Sequence, residues 1–280
     1  MPELPEVETV RRGLNSVTCD RTIERVEVLY PRSIGSPGLD DFTTGLKGCA
    51  IVNWSRRGKY LLAALKTPQS ATGHLGVHLR MSGQLLWVSP KDPLQKHTRV
   101  RLLTAGDMEL RFVDQRTFGQ MWWVPPNHPP DSVITGLQKL GPEPFSDEFS
   151  TAYLYKVLRH RKRPIKNALL DQSIIAGIGN IYADEALFLS GIRPTVLCAE
   201  LTQPKIKKLH QAIQEVLKSS ITLGGTSFSS FMGVTGVNGN YGPEAWVYGR
   251  KAQPCRTCSD EITQIKLAGR SAHYCPSCQK

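Results

Sequence analysis

The sequence predicts an α+β protein of several domains: a β-rich N-terminal part, a helical middle part and a short cysteine-rich end. Three observations support this. Short apolar runs fill residues 20–124, helical periodicity begins near residue 146, and two Cys-x2-Cys pairs occur in the last thirty residues. Together they indicate two larger domains and a small metal-stabilised module.

The N-terminal part predicts a helix followed by antiparallel strands. Pro5 suits a first helical turn, and Val7, Val10 and Leu14 then recur at spacings of three and four residues, which predicts a helix over 5–14. The runs that follow are IERVEVLY, CAIVNW, KYLLAALK, LGVHLRM, GQLLWV, TRVRLLT and ELRFV. Short runs bounded by turn residues favour an antiparallel sandwich or barrel.

The second half predicts helices. Prolines cluster between residues 125 and 144, which is typical of a linker or a long crossing loop. Gly191 and Pro194 supply a helix end, because glycine and proline terminate helices. The segments with helical spacing are 146–159, 165–172, 180–190 and 204–223.

The four C-terminal cysteines predict one structural zinc ion. They are Cys255, Cys258, Cys275 and Cys278. Each short spacing lets one tight turn supply two thiolates to a tetrahedral ion at about 2.3 Å. The alternative, two disulfides, does not suit a cytosolic chain. Four thiolates leave no open position for water, so the metal is expected to be structural.

The charge of the chain favours a polyanionic partner. The formal net charge is +11, and such an excess is typical of nucleic-acid binders as well as of some basic enzymes. The sequence has no run of 18 apolar residues and no apolar segment near its start, so we expect neither a transmembrane helix nor a secretion signal. We therefore expect a cytoplasmic location, and we further expect association with the nucleoid and a monomeric state.

Several segments predict contacts with nucleic acid. KVLRHRKRPIK is dense in lysine and arginine without acids, which favours phosphate binding over a merely solvated helix face. GIGN predicts a tight turn that leads into a helix, with Asn180 as its cap and a phosphate at its N-terminus. Arg270, between the cysteine pairs, lies in a predicted hairpin and is either a phosphate contact or an ordinary surface residue.

Met81, Arg116 and Phe118 predict a set of side chains that enters a base stack. One is a flexible apolar group, one a fork of hydrogen-bond donors and one a flat ring. Apolar wedges unstack base steps, and an arginine then reaches the exposed base edge. Each residue alone fits ordinary packing or surface exposure.

The opening residues MPELPE predict a nucleophile. Removal of the initiator methionine would leave Pro2 with a free secondary amine, and α-amino groups titrate about two pH units below lysine. Such an amine attacks electrophilic sugar carbon and forms an iminium, a charged Schiff base. Glu3 beside it would donate a proton. The alternative is a frayed terminus without function.

The motifs together resemble one family. PELPE, RRGKY, HLRMSG, QRTFG, GIGNIYADE and the four cysteines occur in one order along essentially the whole chain. The sequence is similar to the formamidopyrimidine-DNA glycosylases, bacterial-type enzymes that remove 8-oxoguanine from DNA. The resemblance implies an N-terminal β-sandwich, a helix–two-turn–helix module and a zinc finger.

The resemblance also implies roles for individual residues. Pro2 would form the Schiff base and Glu3 would donate the proton, while Lys59 and Arg270 would serve β,δ-elimination and hold phosphates. Whether Lys59 is a proton donor or mainly a phosphate clamp stays open. Met81, Arg116 and Phe118 would fill the void left by the flipped base. The remaining expected DNA contacts are His78, His97, Arg161, Asn180 and Tyr248.

The resemblance implies domain boundaries, and the sequence departs from the family pattern at two places. The expected segments are a catalytic domain over 1–125, a linker over 126–145, a helix–two-turn–helix domain over 146–245 and a zinc finger over 246–280. A loop over 224–241 would cover the flipped base as a mobile lid, and its sequence SFSSFMGVTGVNGN is individual. Arg80 stands where many members have glycine.

Two other functions remain as alternatives. A sister branch that acts on oxidised pyrimidines shares Pro2, Glu3 and the finger, although the Met81/Arg116/Phe118 set argues against it. A non-catalytic, zinc-containing DNA-binding protein is the second alternative. The favoured expectation is a bifunctional glycosylase and lyase acting on double-stranded DNA that contains oxidised purines, with one Zn²⁺ ion.

Overall fold

The computed structural model describes residues 1–226, 234 and 241–280. They belong to two compact units. The first comprises Met1–Lys139 and Gly224–Gly239, and the second comprises Leu140–Leu223 and Asn240–Lys280. The expected boundaries at 125, 145 and 245 divide the chain more finely and stay predictions. Of the predicted covering loop, residues 227–233 and 235–240 lie outside the described residues.

The first unit begins with helix α1 (Leu4–Thr18). Val7, Val10 and Leu14 are buried as their spacing predicts, so the apolar stripe faces the core. Asn15 attaches the helix to a strand, because its amide pairs with both main-chain groups of Trp54, at 2.9 and 2.8 Å. A shorter helix, α2 (Leu39–Leu46), follows.

The described strands of the first unit form two antiparallel sheets. In chain order they are β1 (Ile23–Val28), β2 (Ala50–Arg57), β3 (Tyr60–Lys66), β4 (Thr72–His78), β5 (Gly83–Val88), β6 (Thr98–Thr104), β7 (Met108–Asp114) and β8 (Gln120–Val124). One sheet has the order β1-β6-β7-β5 and the other β2-β3-β4-β8. Each ladder is antiparallel.

Apolar side chains from both sheets form one core. Leu102 and Phe112 come from the first sheet, Leu61 and Leu75 from the second, and all four are buried in the same cluster. The two sheets therefore form the predicted sandwich. Each sheet ends in strands that have only one neighbour among the described residues, so the alternative of a closed barrel is excluded.

Strand β8 and helix α2 have no counterpart among the predicted elements. The run QMWWV is buried at nearly every position, so it lacks the period of two that marks a half-exposed strand. Helix α2 covers part of it. A Cβ on Gly45 of α2 would lie 2.3 Å from the indole nitrogen of Trp123, so glycine permits the close approach.

The second unit is helical, as predicted. Its helices are α4 (Thr151–Leu158), α5 (Ile165–Leu169), α6 (Asn180–Leu189) and α7 (Gln203–Thr222), and the short α3 (Pro130–Val133) precedes them in the first unit. Helix α4 starts five residues later than predicted, because the Ser150 hydroxyl caps it by accepting the Tyr153 N–H at 3.1 Å. No described helix has the length and hydropathy needed to span a bilayer.

The second unit ends in an antiparallel hairpin of β9 (Thr263–Leu267) and β10 (Arg270–Tyr274). Residues Ala268 and Gly269 form its two-residue turn, and both have positive φ, 47° and 80°. This is the geometry of a type I′ turn, which suits the twist of a hairpin.

A cluster of charges joins α1 to β2. The Glu8 carboxylate lies 2.8 Å from Arg11, 2.9 Å from Arg12 and 3.4 Å from Arg56 of β2. Burial acts to raise the pKa of Glu8, but the hydrogen bonds and charges of the arginines outweigh it and lower this pKa to about 2.

Replacement of this carboxylate should make the stability of the protein less sensitive to acid. Because the pKa in the folded chain lies below the ordinary 4.5, the contribution of Glu8 is complete above that pH and is lost as the pH falls towards 2. Glu8→Gln should cost about 0.5–1 kcal/mol at pH 7 and clearly less at pH 3. Urea unfolding at pH 7, 5 and 3 measures the difference, with exposed Glu24→Gln as control. A difference in unfolding free energy between the two proteins that stays constant with pH would contradict this role.

Candidate active site and nucleic-acid interface

The second and third residues of the chain are buried, and the third is held by a hydrogen bond. Pro2 and Glu3 are both buried, and Glu3 is extended before α1, with φ −104° and ψ −173°. The Glu3 N–H donates to Glu6 Oε2 at 2.8 Å, across the spacing of a capping box. The chain is therefore fixed at the residue directly after Pro2, where most proteins fray.

Glu6 also binds a second segment of the same unit. Its Oε1 accepts hydrogen bonds from the main-chain N–H of Thr226 at 2.7 Å and from the Thr226 hydroxyl at 3.0 Å. A Cβ on Gly225 would lie 2.9 Å from the same oxygen, and Gly225 has φ +81°. One buried carboxylate therefore connects the start of the chain to residues 225–226. The spacing of Glu6 from Glu3 signals only the first of these contacts, and the contact with Thr226 was missed from the sequence.

Lys59 is presented by the turn between β2 and β3. Arg57 pairs with Tyr60, which leaves a two-residue turn of Gly58 and Lys59. Gly58 has φ +56°, as the first position of a type II′ turn requires. Its carbonyl accepts a hydrogen bond from Arg56 at 2.9 Å. Lys59 is 6% exposed, so its ammonium group is held in a largely enclosed place.

His78 lies at the end of β4 and is buried. Its ring is 4.5 Å from that of Tyr60, edge to face, and its Nδ1 accepts the Arg80 N–H at 3.0 Å. Burial, together with the charges of Arg80 and Lys59, lowers the pKa of His78 to about 3. The imidazole is therefore neutral near pH 7 and supports the loop after β4.

Met81, Arg116 and Phe118 are exposed on two loops of the first unit. Met81 is 38% and Phe118 51% exposed, and the Arg116 guanidinium lies 5.0 Å from the centre of the Phe118 ring, within the range of a cation–π contact. Arg80 adopts φ +53°, a conformation that glycine adopts without strain. Glycine would therefore fit this position without strain.

His97 precedes β6 and is half-buried. Its carbonyl accepts the Asp114 N–H at 2.9 Å, and its Nδ1 lies 3.3 Å from Arg99. The Arg99 side chain in turn donates to the Asp114 carbonyl at 2.8 Å. His97 is thus attached to the end of β7, which also begins the loop that carries Arg116.

The basic segment of the second unit divides into exposed and buried cations. Arg163 pairs with Asp171 at 2.7 Å, and Lys166 is 1% exposed. The exposed cations are Lys156, Arg159, Arg161 and Lys162. The segment therefore offers fewer cations to a polyanion than its composition suggests. Arg161 is one of the four that remain exposed.

Lys166 belongs to a buried network that connects the helices to the terminal hairpin. Its Nζ lies 2.6 Å from Asp184 of α6 and donates to the carbonyl of Ser271 at 2.5 Å. The other Asp184 oxygen accepts the His273 N–H at 2.9 Å and lies 3.1 Å from His273 Nδ1. This network fixes β10, whose first residue is the exposed Arg270.

Asn180 is the first residue of α6 and does not cap it, so that prediction is wrong. The cap position is taken by Gly179 in an extended conformation. The Asn180 amide instead donates to Ser271 Oγ at 3.3 Å. Asn180 and Arg270 are thereby brought to the same part of the second unit, since Ser271 follows Arg270 directly.

Tyr248 also lies against the terminal hairpin. Its ring is 4.9 Å from the ring of His273, edge to face. Its N–H donates to Glu185 at 2.9 Å, and Glu185 also accepts the N–H groups of Trp246 and Val247. Burial raises the pKa of this carboxyl although these hydrogen bonds oppose the shift. Buried acids of α6 therefore position both Tyr248 and β10.

The four C-terminal cysteines form a metal-binding cluster. All four Sγ atoms lie within 4.8 Å of one another, with separations of 3.9 Å between Cys255 and Cys278 and 3.4 Å between Cys258 and Cys275. Zinc–sulfur bonds of about 2.3 Å place tetrahedral sulfurs roughly 3.8 Å apart, so the cluster fits one zinc ion. It packs against Phe188 of α6 and Val247.

Three family models match the chain. They are described as the formamidopyrimidine-DNA glycosylase N-terminal domain, matched by residues 1–121, its H2TH domain, matched by residues 140–232, and a zinc finger found in FPG and IleRS, matched by residues 252–280. The zinc-finger match and the geometry of the four cysteines agree on one structural metal ion.

Curated relatives are similar over the full length. The formamidopyrimidine-DNA glycosylase of Acaryochloris marina is 60% identical and covers 100% of this chain and 99% of its own. That of Nostoc sp. (strain PCC 7120) is 59% identical and both chains are fully covered.

Solved structures of Lactococcus lactis FPG have the same fold. A mutant of that protein in complex with Fapy-dG-containing DNA matches with a TM-score of 0.91 and 36% identity over the whole of both chains. A complex with abasic-site DNA matches with a TM-score of 0.91 and 36% identity over 99% of each. A complex with DNA containing an oxidised pyrimidine matches with a TM-score of 0.90 and 36% identity over the whole of both.

Removal of the Glu6 carboxylate should release the start of the chain. Glu6→Ala leaves three buried donors on Glu3 and Thr226 without their acceptor, which costs about 1–3 kcal/mol for each unsatisfied group. Amide hydrogen exchange at Glu3 and Thr226 should accelerate about tenfold or more, because local opening becomes easier. Exchange measured by NMR tests this, with Glu24→Ala as control. Unchanged exchange at both amides would show that Glu6 does not hold the terminus.

Loss of one thiolate should abolish metal binding. Cys258→Ser removes one of four ligands, and the protein should be isolated without its equivalent of zinc, with the hairpin destabilised because metal binding and folding are coupled. Elemental analysis and thermal unfolding measure both effects. Cys19→Ser, at an isolated cysteine, should retain one zinc per chain. Full zinc content in Cys258→Ser would contradict a four-thiolate site.

Proposed function

Because the chain belongs to the formamidopyrimidine-DNA glycosylase family, we propose that it excises oxidised purines from duplex DNA and cleaves the strand at the resulting abasic site. The substrates are 8-oxoguanine and formamidopyrimidines. We place this activity in the cytoplasm at the nucleoid, where genomic DNA is available. The observation that carries the proposal is the buried start of the chain, held by the hydrogen bond between Glu3 and Glu6.

Pro2 is the proposed nucleophile. Once Met1 is removed, the secondary amine of Pro2 attacks the sugar C1′, and the bond from C1′ to the base breaks, with the electron pair leaving on the base. Loss of a proton from nitrogen and opening of the sugar ring give an iminium. The iminium acidifies the neighbouring C2′ hydrogen, so elimination expels the 3′ phosphate and then the 5′ phosphate.

Glu3 is the proposed proton donor. The ring oxygen of the sugar needs a proton when the ring opens, and Glu3 follows the nucleophile directly in the chain. A fixed main chain keeps donor and nucleophile in one geometry, which lowers the entropic cost of the reaction. Lys59, enclosed at the β2–β3 turn, and Arg270, exposed at the start of β10, are proposed to bind the phosphates on either side of the lesion.

Binding to DNA is proposed to use both units. The exposed cations of the second unit and a net charge of +11 favour the phosphate backbone. His97, Arg161, Asn180 and Tyr248 are proposed backbone contacts, and His78 supports the loop through Arg80. Met81, Arg116 and Phe118 are proposed to enter the stack when the damaged base is flipped out, which costs a few kcal/mol.

Borohydride trapping tests the nucleophile. Mature protein incubated with an 8-oxoguanine duplex and borohydride should form a covalent protein–DNA adduct, because only an iminium is reduced to a stable bond. A variant with one glycine added before Pro2 should form much less adduct, since the proline nitrogen is then an amide and the new terminal amine is displaced by one residue. Pro2→Gly should retain part of the trapping because it still offers a terminal amine. Equal trapping with and without the added residue would refute the role of Pro2.

The same assay ranks the substrates. Single-turnover excision of 8-oxoguanine opposite cytosine should be faster than excision of thymine glycol. The comparison matters because the sister-branch alternative predicts the reverse order, and because a similar Lactococcus lactis structure contains an oxidised pyrimidine. Faster excision of the pyrimidine lesion would replace the proposed substrate class, and absence of any adduct would favour a non-catalytic DNA-binding protein.

A further inference from the structure

We propose that Asp114 is a positioning residue that fixes Met81, Arg116 and Phe118 as one rigid insertion set before DNA is bound. This inference rests on the proposed function, because the set is taken to enter the base stack there. Asp114 itself touches neither substrate nor reacting atoms in this proposal. It acts through the two loops that carry the set.

The carboxylate of Asp114 is fully buried and receives hydrogen bonds from both loops. Asp114 ends β7 and is 0% exposed. Its Oδ1 accepts the Ser82 hydroxyl at 2.5 Å and the Arg116 N–H at 3.2 Å. Its Oδ2 accepts the Gly119 N–H at 2.7 Å.

Ser82 connects the loops a second time. Its oxygen accepts the Arg116 N–H at 3.0 Å while its hydroxyl proton is donated to Asp114. Ser82 directly follows Met81, and Arg116 and Gly119 bracket Phe118 in the chain. Arg116 therefore binds the carboxylate through its own N–H, while Met81 and Phe118 are each next to a residue that binds it.

Both loops are closely packed or hydrogen-bonded beside the carboxylate. A Cβ on Gly119 would lie 2.5 Å from the Phe112 ring and 3.1 Å from Asp114 Oδ2. On the other loop, the Gly83 N–H donates to the Leu79 carbonyl at 2.9 Å. The carboxylate is therefore enclosed by main chain and a buried ring while the side chains of the set point outwards and remain exposed.

Two loops that are ordered in advance suit a set of side chains that must enter a base stack. Side chains that must separate stacked bases lose less entropy on insertion when their loops are already ordered. A buried carboxylate is costly unless its hydrogen bonds are made, and bonds to an ionised acceptor are stronger than neutral ones. The same acid therefore orders both loops in the free protein, so their geometry does not depend on contact with DNA.

The variant Asp114→Asn replaces one of the two acceptor oxygens by an NH₂ group and keeps the size and shape of the side chain. Its amide has one oxygen, so either the Gly119 N–H or the pair from Ser82 and Arg116 faces an NH₂ group. We expect single-turnover excision of 8-oxoguanine to fall about 10–100-fold, since misplacement by about 1 Å costs up to that factor. Cleavage of a preformed abasic site, which has no base to extrude, should fall no more than about threefold on the same argument.

Matched variants separate this role from a general loss of stability. Asp107→Asn makes the same change at the exposed residue before β7 and should excise 8-oxoguanine like the wild type. Ser82→Ala should reproduce part of the defect, and Ser82→Thr, which keeps a hydroxyl, should restore excision. Thermal unfolding and abasic-site trapping identify any variant that has simply failed to fold.

A double-mutant cycle with Phe118→Ala gives the decisive readout. If Asp114 acts through the insertion set, the loss in the double variant should be clearly smaller than the product of the two single losses, because Phe118→Ala removes one of the side chains that Asp114→Asn misplaces. Multiplication of the two losses would overturn the inference, as would wild-type excision by Asp114→Asn. Failure of the proposed function is distinguishable, since the wild type itself would then excise no 8-oxoguanine and form no adduct.

Discussion

The buried carboxylate of Glu6 is the constraint on which the proposed chemistry depends. A chain terminus is normally the least ordered part of a protein, yet a nucleophile must be held within a fraction of an ångström of its target. Glu6 resolves this conflict by binding the main chain of Glu3 on one side and Thr226 on the other. The terminus thereby becomes part of the folded core of its unit, and α1 and its Glu8 arginine cluster extend the same attachment to β2.

Buried acids serve a similar purpose elsewhere in the molecule. Asp114 orders two loops of the first unit, Asp184 binds Lys166 and the terminal hairpin, and Glu185 binds the segment that carries Tyr248. In each case the acid is on a regular element and binds groups of a loop or hairpin, and Asp184 also binds Lys166 of α5. Because a buried carboxylate without donors is costly, each acid allows its partners few alternative positions. Helices and strands thus fix the positions of exposed loop residues through these buried acids.

Local patterns predicted much of this structure, and long-range contacts account for the rest. Alternation predicted β6, whose buried and half-exposed residues alternate along its length, and thiolate spacing predicted the cysteine cluster. Strand β8 was missed because both its faces are buried, so its sequence has no alternation to detect. Asn180 was assigned to a cap because its type favours caps, whereas its partner Ser271 is 91 residues away. Likewise nothing local indicates that Glu6 meets Thr226, 220 residues later.

The Lys166–Asp184 network has a consequence for the modularity of the terminal hairpin. A zinc hairpin is usually regarded as a self-contained cassette because its four cysteines and one ion complete its fold. Here Asp184 and Lys166, both outside the hairpin, bind main-chain groups of Ser271 and His273. A hairpin grafted from another protein with a different backbone at these positions would leave the buried Lys166–Asp184 pair without these hydrogen bonds, at a cost of about 1–3 kcal/mol for each unsatisfied group. A zinc hairpin of this kind can therefore be exchanged between proteins only together with the two helical residues that bind it.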